Sequence, residues 1–214
     1  MELNKIYNVD CYEFMKTVPD KFFDLIVTDP PYGLDIHKKN VSRGKLAKAR
    51  DYGVCDWDKS IPGKKYFDEM FRISKNQIIF GGNYFIEFLK NSSCWIVWDK
   101  DNGETDFADC ELAWTSFNSA VRKFKFKWQG MLQENMSWKE TRYHPTQKPV
   151  PLGRWILDKY ATNEFKIFDP YAGSGTFLIA AKNKGLSFVG CEISKEYCEI
   201  ANKRLSQENL KSWF

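Results

Sequence analysis

The stretch Lys166-Ile167-Phe168-Asp169-Pro170-Tyr171-Ala172-Gly173-Ser174-Gly175-Thr176 decides how the rest of the chain is read. A short apolar run ends on an acid, small residues make a turn, and a helical pattern over 175–184 stops at Gly185, a residue suited to closing a helix. Such a turn lets a ligand approach backbone N–H groups at a helix N-terminus. The glycine spacing is not the G-x-G-x-x-G of dinucleotide sites, and the Gly-Lys-Ser/Thr ending of a P-loop is missing, so a nicotinamide or flavin cofactor is disfavoured. The next apolar run, Ser187-Phe188-Val189-Gly190-Cys191, ends at Glu192, an acid at a strand terminus where a ribose diol would be held.

Outward from this unit the same grammar repeats. Asp24–Thr28, Gln77–Phe80 and Cys94–Trp98 are short, continuously apolar runs, as expected of strands covered on both faces. Between such runs, residues 152–160 place Leu152, Trp155, Ile156 and Tyr160 on one helical face. Residues 195–206 open after Ser194 as N-cap and carry Tyr197, Ile200, Ala201 and Leu205 at helical spacing. Strand–helix alternation predicts an α/β domain, a doubly wound, mostly parallel sheet with helices on both faces. The 214 residues suit a single domain over 1–214. Two stretches break the layered pattern. Gly33–Lys65 reads as a long, mobile surface loop. In Asn118–Tyr143, Phe124, Phe126 and Trp128 alternate with Lys123, Lys125 and Lys127, as on a strand with one buried and one basic face.

Hydrophobic residues make up 43% of the chain and charged residues 28%, which excludes wholesale disorder. No apolar run reaches the ~18 residues of a membrane helix, and the opening MELNKIYNVD lacks a signal-peptide core, so a cytoplasmic protein without membrane contact is expected. The six cysteines form no C-x-x-C pair, and the two histidines, His37 and His144, lie far apart, so no metal site is expected. A net charge of +4 is too small to name a polyanionic partner. The distribution says more: Lys38, Lys39, Arg43, Lys45, Lys48 and Arg50 form one basic cluster, and Arg122, Lys123, Lys125 and Lys127 another. Both suit phosphate contacts, and both also suit a solvated surface.

Asp29-Pro30-Pro31-Tyr32 directly follows the run ending at Thr28. In a doubly wound sheet ligands sit at the carboxyl ends of strands. The prolines stiffen the backbone and remove N–H donors, leaving carbonyls free to accept. A carboxylate beside a rigid carbonyl is a double acceptor for a planar NH₂ group, and Tyr32 offers a ring face to a heterocycle.

These motifs resemble those of the S-adenosylmethionine-dependent amino-methyltransferases of DNA. Asp29–Tyr32 is similar to the family's DPPY catalytic motif and Asp169–Thr176 to its DPxxGSGT cofactor loop, with the catalytic motif first, as in the circularly permuted β-group. Asn8-Val9-Asp10-Cys11 resembles the segment whose acid meets the cofactor adenine, with Asn8 where Gly is more usual. Trp95–Lys100 and Glu111–Trp114 resemble the middle strands, and His144-Pro145-Thr146-Gln147-Lys148-Pro149 resembles the HPTQKP segment at the methionine end. The resemblance implies a Rossmann-like methyltransferase with S-adenosylmethionine as cofactor. Asp29, Pro30, Pro31 and Tyr32 would be catalytic. Asp10, Cys11, Asp29, Thr146, Lys148, Asp169, Tyr171, Ala172, Gly173, Ser174, Gly175, Thr176 and Glu192 would bind the cofactor. Double-stranded DNA is the implied substrate, met by the two basic clusters and by a short target-recognition insert at about 118–143; a homodimer and a cognate restriction endonuclease are partners that the resemblance admits without deciding. Asp in the first motif position is more often seen with adenine N6 than with cytosine N4, which stays the alternative, as does a catalytically inactive nucleic-acid-binding module. A cysteine-adduct mechanism is disfavoured, because Tyr32 fills the slot that such a cysteine would need.

Overall fold

The computed structural model describes residues 1–34, 60–103, 108–129, 132–137, 139–143 and 146–207. In chain order the elements are β1 (Lys5–Tyr7), α1 (Cys11–Lys16), β2 (Phe23–Thr28), α2 (Lys64–Ile73), β3 (Ser74–Phe80), β4 (Trp95–Asp99), β5 (Cys110–Thr115), β6 (Arg122–Lys125), β7 (Trp128–Gln129), β8 (Leu132–Gln133), α3 (Val150–Tyr160), β9 (Lys166–Asp169), α4 (Thr176–Asn183), β10 (Ser187–Cys191) and α5 (Lys195–Ser206). Eight strands form one sheet in the order β1-β10-β9-β2-β3-β5-β4-β6, and β7 and β8 pair apart from it. β5 runs antiparallel to both its neighbours, while every other ladder in the sheet is parallel. The fold is Rossmann-like, as expected.

Strand side chains alternate between two cores, which explains why the central strands are apolar at every position. Leu25, Val27, Ile78, Phe80 and Ile167 pack with Leu152 and Ile156 of α3, Phe177 and Leu178 of α4 and Ala201 of α5. Phe23, Ile26, Ile79, Phe168 and Val189 face the other way, onto Met15 of α1 and Phe67, Met70 and Ile73 of α2. Phe168 stacks on Phe23 with ring centroids 4.6 Å apart. Local signals placed the helix ends: Gly185 has φ +73°, and the Ser194 hydroxyl accepts from the Tyr197 N–H. None of the described helices is long and apolar enough to cross a membrane.

Two expectations are revised. Lys64 and Lys65 open α2, so the loop read over 33–65 ends sooner, and residues 35–59 lie outside the described set. The basic, aromatic strand is real only over Arg122–Lys125, with Trp128 starting the separate β7–β8 hairpin. β6 is the edge strand of the main sheet, parallel to β4, so the 118–143 segment begins as scaffold. Its Phe124 packs on Trp155 of α3 at 5.3 Å. Trp128 is buried, its indole N–H donating to the Gln147 carbonyl at 2.8 Å, which ties the hairpin to the segment before α3.

The site is placed by topology. From β9 the chain passes through α4 to β10 on one side, and from β2 through α2 to β3 on the other. β9 and β2 are therefore adjacent parallel strands whose connections diverge, a switch point that leaves a crevice at their carboxyl ends.

Candidate active site

Both sequence motifs emerge into that crevice. Asp169 ends β9 and Asp29 follows the end of β2. The Thr28 hydroxyl donates to Asp169 Oδ1 at 2.7 Å, and the Tyr171 N–H reaches the same oxygen at 3.1 Å. Burial pushes the Asp169 carboxyl up to about 7, against these two hydrogen bonds.

The small-residue turn after β9 has Gly173 at φ +51° and Gly175 at φ +82°. The Gly173 N–H donates to Glu192 Oε2 and the Ser194 N–H to Glu192 Oε1, each at 2.8 Å, so backbone donors aim the carboxylate. Burial raises its pKa. Asn8, the departure from the more usual Gly, donates to the carbonyls of Glu192 and Ile193 at 2.8 and 3.0 Å and so clamps the end of β10. Asp10 caps α1, its Oδ1 accepting from the N–H groups of Tyr12 and Glu13. Cys11 is buried, and burial pushes its thiol up to about 12, out of reach of nucleophilic use.

A cavity of about 390 Å³ joins these parts, within the range of small-molecule sites. Asp10, Cys11, Asp29, Thr146, Lys148, Asp169, Tyr171, Ala172, Gly173, Ser174, Thr176 and Glu192 all line it, as does Pro31. Gly175, Pro30 and Tyr32 do not: Gly175 precedes α4 and faces Ala201 and Ile6, so its left-handed conformation serves the turn. Ser60, Ile61, Pro62, Gly63 and Tyr66 add a wall that sequence reading missed.

Within this lining, Asp29 is held from both sides. Its Oδ1 accepts the Tyr32 hydroxyl at 2.5 Å, and its Oδ2 accepts Lys148 Nζ. Lys148 also stands 2.9 Å from Glu111 Oε2, and Lys100 stands 2.5 Å from Glu111 Oε1. The sequence placed Glu111 and Lys100 at the ends of two middle strands and gave neither a role at the site. Burial raises the Asp29 pKa despite Lys148, whereas in Glu111 the pull of Lys148 and Lys100 outweighs burial and brings the carboxyl down to about 2. Burial also lifts the Tyr32 phenol well above its ordinary range, keeping it a hydrogen-bond donor. The Tyr32 ring stacks on Tyr84 at 4.8 Å and 16°, so one ring face is already covered. Its other constraint is Gly81, at φ +68°, where an added Cβ would lie 2.1 Å from the ring.

Beneath the cavity floor runs a closed polar network. Arg204 of α5 donates to the Ser174 carbonyl at 2.6 Å and to Glu140 Oε1 at 2.9 Å. Glu140 also accepts from Gln147 Nε2 at 2.8 Å and from the Val150 N–H at 2.9 Å. Of the basic clusters, Lys38, Lys39, Arg43, Lys45, Lys48 and Arg50 lie outside the described residues, as do His144 and Pro145. Arg122, Lys123, Lys125 and Lys127 are at the surface. Lys123 pairs with Asp99 at 3.4 Å, and Lys125 and Lys127 pair with Asp101 at 2.9 and 3.4 Å, so part of their charge is already answered.

Comparison with known proteins agrees with this architecture. The sequence model of the N6/N4 DNA methylase family matches residues 90–203. The Type II methyltransferase M.HinfI of Haemophilus influenzae is 30% identical over 96% of this chain and 69% of its own length. M2.DpnII of Streptococcus pneumoniae, another Type II methyltransferase, is 28% identical over 94% of this chain and 88% of its own. The chain belongs to the DNA methylase family. Among solved structures, M1.HpyAVI in complex with SAM superposes with a TM-score of 0.61 at 23% identity, covering 95% of this chain and 99% of that one. The cytosine-N4-specific PvuII methyltransferase gives 0.60 at 13% identity, over 98% and 92%. Both share the fold.

Two predictions concern the site as built. Gly81→Ala is expected to cost about 1–3 kcal/mol of unfolding free energy, because the Tyr32 ring must move. In a Tyr32→Ala background the same change should cost clearly less; equal costs by urea denaturation would assign the strain to the backbone alone. The second concerns pH. A carboxyl raised from 3.8 to about 7 holds its proton more tightly in the folded chain, so its stabilising contribution is full below pH 4 and is lost as pH rises through 7. Asp169→Asn should therefore flatten the fall in stability across that window relative to the parent, and parallel curves would show that Asp169 does not titrate there.

Proposed function

We propose that the protein transfers a methyl group from S-adenosylmethionine to the N6 amine of an adenine turned out of double-stranded DNA. The observation that carries this reading is that Asp29, Gly173 and Glu192 line one cavity. That arrangement brings an amine acceptor against a site fitted to a nucleoside. The fit rests on this chain's donor set: Glu192 presents a carboxylate fixed by two backbone N–H groups, suited to hydroxyl donors, and Val9 and Ile193 supply apolar lining beside it. When bound, the cofactor supplies an electrophilic methyl group on a sulfonium.

The amine of an aromatic base is a poor nucleophile because its lone pair is delocalised into the ring. Asp29 and the Pro30 carbonyl, accepting its two hydrogens, favour a pyramidal nitrogen with a localised lone pair. The contribution is positioning and electrostatics. Each Asp29 oxygen has a second lone-pair direction, so an amine can be accepted beside Tyr32 and Lys148. The product nitrogen sheds one proton, and Asp29, its affinity for protons raised by burial, is placed to take it. Turning the base out costs a few kcal/mol, which stacking on Tyr32 at ~1–3 kcal/mol offsets. Adenine is favoured over cytosine by Asp in the first motif position.

Incubation with methyl-labelled cofactor and mixed-sequence DNA, followed by nucleoside analysis, should yield N6-methyladenine; N4-methylcytosine would reassign the base, and no labelled base at all would overturn the reading. Asp29→Ala should abolish transfer while cofactor affinity stays within about threefold, a change of under 1 kcal/mol; an equal collapse in cofactor binding would break the division of labour between the two motifs.

DNA affinity should rest largely on phosphates, because a short recognition segment offers few side chains to base edges at ~1–3 kcal/mol each. Log affinity falls with log salt at about −0.9 per phosphate neutralised. Replacing Lys123, Lys125 and Lys127 together by Gln should make that slope shallower and leave the methylated base unchanged. An unaltered slope would return this strand to solvent, and a new methylated sequence would make it a reader of bases.

A further inference from the structure

The sheet's one reversed strand brings a carboxylate to the catalytic edge. β2, β9 and β4 deliver their carboxyl ends there, whereas β5 begins there, with Glu111 opposite Trp98 in register. Glu111 therefore meets Lys148 from the segment before α3 and Lys100 from the end of β4. Resting on the methyltransferase reading above, we infer that Glu111 is a positioning residue, sharing the Lys148 ammonium with Asp29 and giving that ammonium a second anchor when the target amine reaches Asp29.

The geometry supplies such an anchor. In the resting site both Asp29 oxygens are engaged, one by Tyr32 and one by Lys148. The second lone-pair direction on each oxygen admits the amine, and the hydrogen bond it donates strengthens as Lys148 loosens its hold. Its side chain is only 4% exposed, so water cannot take over the charge. Glu111 Oε2, 2.9 Å from Nζ, can. Glu111 is itself fixed, because Lys100 holds its other oxygen. Two carboxylates and two ammonium groups leave this cluster neutral in sum, so a shift of Lys148 between its partners changes no net buried charge. A lysine suits this role: it is a point charge on a flexible stem, free of the fixed fork of an arginine.

Among the described residues, the groups facing Asp29 are Lys148, Glu111 from β5 with Lys100 behind it, Tyr32 on its own turn with Tyr84 stacked on its ring and, through Thr28, Asp169 of β9. Removing the Glu111 charge leaves Asp29, among the described residues, as the only anion paired with Lys148. The pair tightens, Asp29 ionises more readily and it accepts the amine less well. In Glu111→Gln the acid limb of the single-turnover rate should move down by about one pH unit, the scale of a neighbouring charge. The plateau rate should fall about tenfold or more, with KM for DNA and cofactor Kd within about threefold. Glu111→Asp should restore part of both. Loss spread evenly over all pH values would mark a merely structural role and overturn the inference.

A second arm is independent of activity and of whether Glu111→Gln folds well. The Asp29 carboxyl carbon is followed by ¹³C NMR in cofactor-free protein, its signal assigned by its loss in Asp29→Asn. Its midpoint should fall in Glu111→Gln and rise in Lys100→Met, which strips Glu111 of its outer counter-charge. Midpoints unmoved in both variants, or moved in the opposite senses, refute the inference. Absence of methyl transfer by the parent protein would overturn the functional reading instead, and the titration would still decide whether Glu111 controls Asp29.

Discussion

Everything at the site depends on β2 and β9 lying side by side and parallel, in a register that sets Leu25 against Ile167 and Ile26 against Phe168. That pairing brings together two motifs separated by most of the chain, and the Thr28–Asp169 hydrogen bond, between residues 141 positions apart, closes it at the carboxyl end. A slip of one residue would exchange the two faces of β2, sending Phe23 and Ile26 toward α3 and α4 and Leu25 and Val27 toward α1 and α2. Packing of the two cores thus fixes the position of Asp29 before any polar contact is made. The divergence of the chain on either side of this pair then opens the crevice without a specialised residue.

The layered fold was legible because burial on both faces leaves a signature in short, uninterrupted apolar runs, and because helix ends carry local chemistry, as Ser194 and Gly185 do. Asp29, Asp169 and Glu192 were legible for a related reason: acids directly after such runs stand at the ligand edge of a parallel sheet, whereas Asp10 was reached only through the family resemblance. Period-two alternation marked β6 as a strand with unlike faces, but it carries no information about the partner, and the strand turned out to extend the main sheet. Gly175 shows the limit of motif reading. Two glycines in one turn look alike in sequence, while only the backbone path reveals that one borders the cavity and the other packs on Ala201.

The residues that escaped notice share one property: their roles are created by contacts distant in sequence. Gly81 matters because the Tyr32 ring presses on it, and Tyr84 because it stacks on that ring. Lys100 and Glu111 look like ordinary charges at strand ends. Only the reversal of β5 makes the start of one strand a neighbour of the ends of three others, and nothing local to residues 110–115 announces that reversal.

Two buried ion pairs among the described residues divide rigidity from readiness. Arg204 and Glu140 sit in a network where each Glu140 oxygen is used and the guanidinium also grips the Ser174 carbonyl. Planar, multiply hydrogen-bonded and closed, that network locks the cofactor-loop motif to α5 and to the segment before α3. Asp29 and Lys148 have the opposite character. An apolar pair in their place would be as stable or more so, yet it would leave no anion to meet an amine. Burial alone would push Asp29 toward its neutral form, Lys148 draws it back, and Glu111 limits how firmly the lysine holds it. The arrangement keeps an accepting carboxylate charged in a nearly dry place while leaving its ligand exchangeable, and that is a property of four charges taken together, which no two of them supply.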